Sequence, residues 1–348
     1  MSGAVTITRG TRASRLTAWA ALLAIAALAS APLWAGSSNL SLLTQVFAYV
    51  ALATLWNLLA GFSGLVSVGQ QAYVGVGGYA LFALTMFGGL HPLVALVVAG
   101  VIGGLLAIPV AGLLFRLRGA YFAIGSWVAA EVFRLLASQI SSLGGGSGTS
   151  LPARVVVEMA SGRQAREFMI YWTGLALVVV VIGATIALLR SRWGLALRAI
   201  HHNELAARSN GVEVTRIKLL VYVVAGFGTA MAGALIFLQK LRISPDAAFS
   251  VNDWTAFVIF MAVIGGIGRI EGPIIGAIVF FILRQTLSDL GSLYLMMLGL
   301  VAIVIMLRAP RGVAGWLHDR FGFDPIPLER RVRYSRSNHE HKPEPTHV

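Results

Sequence analysis

Long apolar runs recur along the whole chain, each about the length a helix needs to cross some 30 Å of hydrocarbon. Ten can be marked: Ala18–Ala35, Leu40–Leu59, Ala72–Phe87, Leu93–Phe115, Ala120–Leu136, Met169–Leu189, Leu219–Leu238, Trp254–Gly266, Pro273–Thr286 and Gly291–Leu307. Apolar residues make up 57% of the 348 and charged ones only 12%, which excludes the two or three soluble domains that the length would otherwise suggest. The expected fold is an all-α polytopic membrane protein of about ten transmembrane helices, with a permease domain over 18–308. Glycines interrupt or bound the third and eighth runs. An even number of spans puts both termini on one side.

Lys and Arg fix which side that is. Of the 27, 20 fall on the side of the termini: Arg9, Arg12 and Arg15, Arg116 and Arg118, six in 190–218, Arg269, and eight from Arg308 to Lys342. The other side carries five, Arg154, Arg163, Arg166, Lys240 and Arg242, while Arg134 and Arg284 lie within spans. This asymmetry predicts cytoplasmic termini, with a cytoplasmic segment at 1–17 and a basic, disordered tail at 309–348. The net charge of +13 is then a topology signal and no nucleic-acid footprint; its partner is membrane lipid. Arg9 to Ala29-Ser30-Ala31 has the form of a signal peptide, but a retained first span is expected.

Catalysis finds no support. The chain has no cysteine, no phosphate-binding glycine loop, no Gly-x-Ser-x-Gly and no His-Glu-x-x-His. His201 and His202 are adjacent and point to different faces of a helix, a poor metal pair. No enzyme activity, metal or cofactor bound by this chain is expected. Ionisable residues within spans are few: Glu131, Arg134, Arg284 and, at an edge, Asp289. Each needs a partner or a water-filled cavity, and Glu131 and Arg134 stand at i, i+3, where they can pair. So small a set of buried carboxylates argues against an ion-coupled carrier.

Glycine is more telling. The stretch Gly61-Phe-Ser-Gly-Leu-Val-Ser-Val-Gly-Gln-Gln-Ala-Tyr-Val-Gly-Val-Gly-Gly-Tyr79 carries six glycines with Ser63, Ser67, Gln70 and Gln71. Lipid tolerates such a helix only where protein or water satisfies its loosened backbone, so it reads as a re-entrant or broken helix lining a pathway. Gly100-xxx-Gly104 and Ala225-xxx-Thr229-xxx-Gly233 read as close helix packing. A second glycine-rich turn follows at Gly265–Pro273. The outer loop 139–168 opens with Gly144–Pro152 and reads either as a vestibule or as a flexible connector.

One charged island, 190–218, separates two apolar blocks. Leu195 to Ser209 contains good helix formers without Gly or Pro, and Asn210-Gly211 supplies a stop. The spacing predicts one short basic helix, too polar to span, resting on something at the membrane surface.

Five ordered stretches together resemble the permease subunits of branched-chain amino-acid ABC importers, the LivM type in particular. They are Gly61–Ala72, Leu117–Glu131, Gly144–Pro152, Gly194–Gly211 and Val263–Gly268. The resemblance covers about Leu40 to Val313. It implies a type II ABC importer-like permease in a bacterial inner membrane, paired with a second permease subunit. Two cytoplasmic ATPase subunits, which use the ATP, and a periplasmic substrate-binding protein complete the assembly. The loop 190–218 is similar to the Glu-Ala-Ala-x3-Gly element that docks in the ATPase, matched here by Leu205-Ala206-Ala207-x3-Gly211. Glu204 stands one place early, and the closing Leu-Pro is absent. Arg198, Asn203, Glu204, Ala206, Ala207 and Gly211 are the implied ATPase-coupling residues. Gly61, Gly64, Gly69, Gln70, Gln71, Tyr121, Trp127 and Glu131 are the expected translocation pathway. The substrate implied is a branched-chain amino acid. Urea or small amides are the alternative within the family, and a stand-alone ion-coupled carrier is the alternative outside it.

Overall fold

The computed structural model describes residues 5–8, 12–160, 162–287, 293–309, 311–321 and 331–334. Asp289, the start of the tenth run and most of the basic tail lie outside the described residues. The chain is mostly helical. In order come β1 (Val5–Thr8), α1 (Arg12–Ala29), α2 (Ser37–Asn57), α3 (Gln70–Met86), α4 (Pro92–Leu114) and α5 (Ala120–Ser138). Then follow β2 (Thr149–Ser150), α6 (Ala153–Met159), α7 (Arg163–Arg190), α8 (Arg192–His202), α9 (Glu204–Ser209) and α10 (Val214–Lys240). The remainder is β3 (Arg242–Ile243), α11 (Pro245–Ala248), α12 (Phe257–Gly265), α13 (Gly272–Leu287), α14 (Leu293–Arg308), α15 (Gly312–Phe321) and β4 (Arg331–Tyr334).

Among the described residues, seven stretches are long and apolar enough to cross a membrane: Ser37–Phe62, Pro92–Leu114, Ala120–Ser138, Arg163–Arg190, Val214–Lys240, Pro245–Gly265 and Leu295–Arg320. Trp19–Leu33 and Gly272–Leu287 are apolar but shorter. The protein is a multi-pass membrane protein. α7 and α10 each begin earlier than the apolar runs suggested, and α10 takes in Lys218.

The core is α10, packed directly against α2, α3 and α4. From Phe47 to Asn57 every residue of α2 is buried, as expected of a helix that is apolar all round. Small residues permit this density: a Cβ on Gly233 would stand 2.6 Å from Val74 Cα, and one on Gly226 would stand 3.3 Å from the Gly103 carbonyl oxygen. α5 and α14 lie at the rim, with one side each left open.

Loops sort to two ends. At the basic end lie the 115–119 loop, α8, α9, the 266–271 turn and α15. At the opposite end, β2 of the outer loop pairs antiparallel with β3, with Thr149 against Ile243, and Leu143, Leu151 and Met159 are buried. Residues 312–321, put in the disordered tail from sequence, form a helix instead, because Ala314 buries its side chain and Gly312 packs on Gly266.

Candidate functional site

The glycine stretch is a broken helix. After Asn57, α2 widens into a π turn over Leu58–Phe62, the chain turns at Gly64 (φ +70°), and α3 begins at Gln70. Backbone that leaves a helix inside a membrane bundle needs other partners, and side chains supply them. Trp56 donates its indole N–H to the Ser67 carbonyl (2.8 Å), the Val68 amide donates to Ser126 Oγ (2.9 Å), and the Gly69 amide donates to Ser67 Oγ (3.2 Å). Gly69 has to be glycine for space: a Cβ there would overlap the Ser126 carbonyl of α5. Leu65 and Ser67 are buried, whereas Gly64 and Val66 are exposed at the basic end.

Gln70 and Gln71, predicted for the pathway, point into the core at 3% and 1% exposure. Gln70 Nε2 donates to the Leu52 carbonyl (3.2 Å) and to Thr229 Oγ1 (3.1 Å). Gln71 Oε1 accepts from Thr255 Oγ1, and the Gln71 amide donates to that same oxygen at 3.4 Å. They tie α3 to α2, α10 and the middle of the Pro245–Gly265 stretch. Gln70 Oε1 has no protein partner, and it lines, with Tyr73 and Tyr222, a cavity of about 10 Å³, close to the volume one water needs.

Tyr121, Trp127 and Glu131 lie elsewhere, on the open side of α5. Tyr121 is 73% and Trp127 49% exposed. Glu131 takes the expected pair with Arg134 (2.6 Å), and the structure adds Asp246 to Arg134 at 2.9 Å. The predicted pathway residues therefore form two groups. Ser126, on the buried side of α5, anchors the break, while the open side carries the aromatics and Glu131, whose partner Arg134 reaches Asp246 of α11. A triad this exposed is costly against acyl chains and calls for water or protein in front of it.

The basic island also departs from expectation. It is two helices, because Asn203 is extended (φ −158°) and its Oδ1 accepts from the Ala206 amide at 3.0 Å, capping α9 separately from α8. Ala207 is 4% exposed and Ala206 is exposed, so only one of the two alanines faces outward. Leu197 and Ile200 are buried in the protein, while Leu195 and Leu205 are 71% and 78% exposed. Arg198 is half-buried, and Gly211 ends the segment at φ +79°. Glu204 bonds to Lys218 and to Arg208, both at 2.8 Å. The Lys218 ammonium first, and Arg208 with it, hold the Glu204 carboxyl below its ordinary range. A cavity of about 660 Å³ between these groups, Gly64–Val66 and the 115–123 turn joins the island to the break.

Among the described residues no group of three or more His, Cys, Asp or Glu could hold a metal. Sequence reasoning missed Trp56, Ser126, Thr229 and Thr255. Each is a polar group inside an apolar run, and that position was the signal available.

Residues 38–307 match the family described as branched-chain amino acid transport system / permease component. The high-affinity branched-chain amino acid transport system permease proteins LivM of Salmonella typhimurium and Escherichia coli are 28% and 29% identical over 84% of this chain and 74% of theirs. The ribose import permease protein RbsC of Bacillus subtilis is 32% identical over 38% of this chain and 43% of its own. No solved structure matches. The chain belongs to the branched-chain amino acid transport system permease component family.

Proposed function

We propose that this chain is one membrane-spanning permease subunit of an ATP-driven importer that carries branched-chain or related small amino acids inward across a bacterial inner membrane. It pairs with a second permease subunit, receives substrate from a periplasmic binding protein, and is driven by two cytoplasmic ATPase subunits. It does no chemistry itself. The observation that carries this is the family match together with an exposed, separately capped helix pair at the basic end. Leu195 and Leu205 stand out from that pair in water, as contact residues for a partner would.

Ten spans follow if α1, α3 and α13 cross beside the seven longer stretches. The pairing of β1 with β4, Val5 against Tyr334, supports termini that share a side. The open side of α5, with Tyr121, Trp127 and Glu131, is the pathway wall. The buried break with Gly61, Gly69, Gln70 and Gln71 is the element behind it that changes shape. Closure of the ATPase pair pushes α9. Glu204 and Lys218 pass that push into α10, whose Thr229 holds Gln70.

Reconstitution of the complex in proteoliposomes tests the reading. Leucine uptake should require ATP and fall on Leu205→Asp. Uptake driven by an imposed ion gradient without ATP would overturn it. With no native cysteine, Trp127→Cys should react with a polar thiol reagent and Val180→Cys, 65% exposed on α7, should not. A second reading, in which the solute is another small polar molecule, is favoured by the partial likeness to the ribose permease. Competition of leucine uptake by urea, amides and ribose separates the two.

A further inference from the structure

Asn57, the last residue of α2, is 1% exposed in an otherwise apolar run. A buried amide in such a place is costly unless both its donor and its acceptor are served. One turn, far along the chain, serves both: Nδ2 donates to the Arg269 carbonyl at 2.7 Å, and Oδ1 accepts from the Gly268 amide at 2.8 Å. Gly266 and Gly268 take φ of +123° and +77°, a backbone that side chains rarely adopt. The shape of the turn thus depends on glycine and on the amide that clamps it. The fit is close, since a Cβ on Gly61 would stand 2.5 Å from both Asn57 Oδ1 and the Gly268 nitrogen.

One residue earlier, Trp56 holds the Ser67 carbonyl of the break at 2.8 Å. Successive side chains on a helix point about 100° apart. Trp56 and Asn57 therefore grip two different glycine-rich segments, the break at 63–69 and the turn at 266–271, on two sides of one helix end. That turn in turn joins α12 to α13 and abuts α15 through Gly312.

We propose that Trp56 and Asn57 are positioning residues that join the 266–271 turn to the broken helix, so that the two segments move as one body when the permease changes state. The purpose of that movement rests on the importer reading; the joint itself does not.

The test uses the full chain assembled with its ATPase and binding subunits in lipid nanodiscs. Spin labels go on cysteines introduced at Val66 and Ile267, which are 49% and 48% exposed, and the distance between them is read by pulsed EPR with and without nucleotide. The unmodified joint should give one narrow population in both states. Asn57→Ala, which leaves the buried Gly268 amide and Arg269 carbonyl without their partner, should broaden it and lower transport per ATP. If Asn57→Ala does not fold, two milder variants carry the test. Asn57→Thr keeps the side-chain volume and adds no charge but is too short to reach the turn, and Trp56→Phe releases only the break. A 66–267 distance that changes between states in the unmodified joint would overturn the proposal. So would milder variants that leave both distance and transport per ATP unchanged. Uptake that needs no ATP would defeat the importer reading instead, while the nucleotide-free comparison of variants would still decide the joint.

Discussion

Gly69→Ala isolates the contact between the break and α5. The backbone at Gly69 is ordinary (φ −110°), so alanine is not strained there and only space is at issue. The new Cβ would stand 2.6 Å from the Ser126 carbonyl carbon and 3.1 Å from Ser126 Cβ, where unstrained carbon contacts sit at about 3.5–4.0 Å. Break and α5 must therefore part by about 1 Å, because the obstructing atoms are backbone and cannot swing aside. At that separation the 2.9 Å bond from the Val68 amide to Ser126 Oγ is lost. Overpacking costs about 1–3 kcal/mol, and an amide left without its partner about 1–3 kcal/mol more. A net loss of about 2–4 kcal/mol follows after partial relaxation. Gly112→Ala is the control, since nothing lies within 4 Å of its Cβ. Thermal unfolding of the purified protein in detergent, followed by tryptophan fluorescence, should show a clearly lowered midpoint for Gly69→Ala and almost none for Gly112→Ala. Equal midpoints for the two variants would refute the claim that the break is wedged against α5.

Thr255→Val should cost about 1–3 kcal/mol, because it removes the donor to the buried Gln71 Oε1 without changing side-chain volume. In the same unfolding assay Gln71→Leu with Thr255→Val should cost less than the two changes summed, and strict additivity would refute the tie. Glu204 titrates below the usual carboxylate range in the fold, so its contribution is complete at neutral pH and is lost only as pH falls through that lowered value. Hydrogen-exchange protection over 192–218, taken relative to the intrinsic rate at each pH, should stay high at pH 6 and fall in the acid range; low protection already at pH 6 would contradict the ion pair. Arg134→Met leaves Glu131 and Asp246 without their common cation. Membrane yield should fall and recover in part when Glu131→Gln is added, as measured by fluorescence-detected size-exclusion chromatography.

Much of the fold was legible because lipid imposes a simple rule: long apolar runs must be helices, and the breaks between them must be glycine-rich or polar. That rule marked the broken helix at 61–69 and the packing of Gly100 and Gly233. It says nothing about which side of α5 would be buried, and so it grouped Gln70 with Trp127 although the structure sets them on different sides of that helix. Asn57 was visible as the one amide in 46–69, but its partners lie 211 and 212 residues away, beyond any local pattern. The split at Asn203 did have a local signal, an N-cap residue followed by Glu204 in the first turn. Strong helix formers on both sides outweighed it in the reading. Tertiary ties are the rest: the pairs of Glu204 with Lys218 and Arg208 leave no mark in the local pattern.

Asn203 has a mechanical consequence. Two helices joined through one extended residue, each with its own cap, act as an elbow and not as a rod. α8 can stay seated through Leu197 and Ile200 while α9 tilts about the joint. A partner that rotates as it closes could then be followed without bending a helix or dragging α7. The resistance met by such a rotation would be set by the Glu204–Lys218 link, so the stiffness of the elbow, and not the length of the helix, would govern how much of each stroke reaches the bundle.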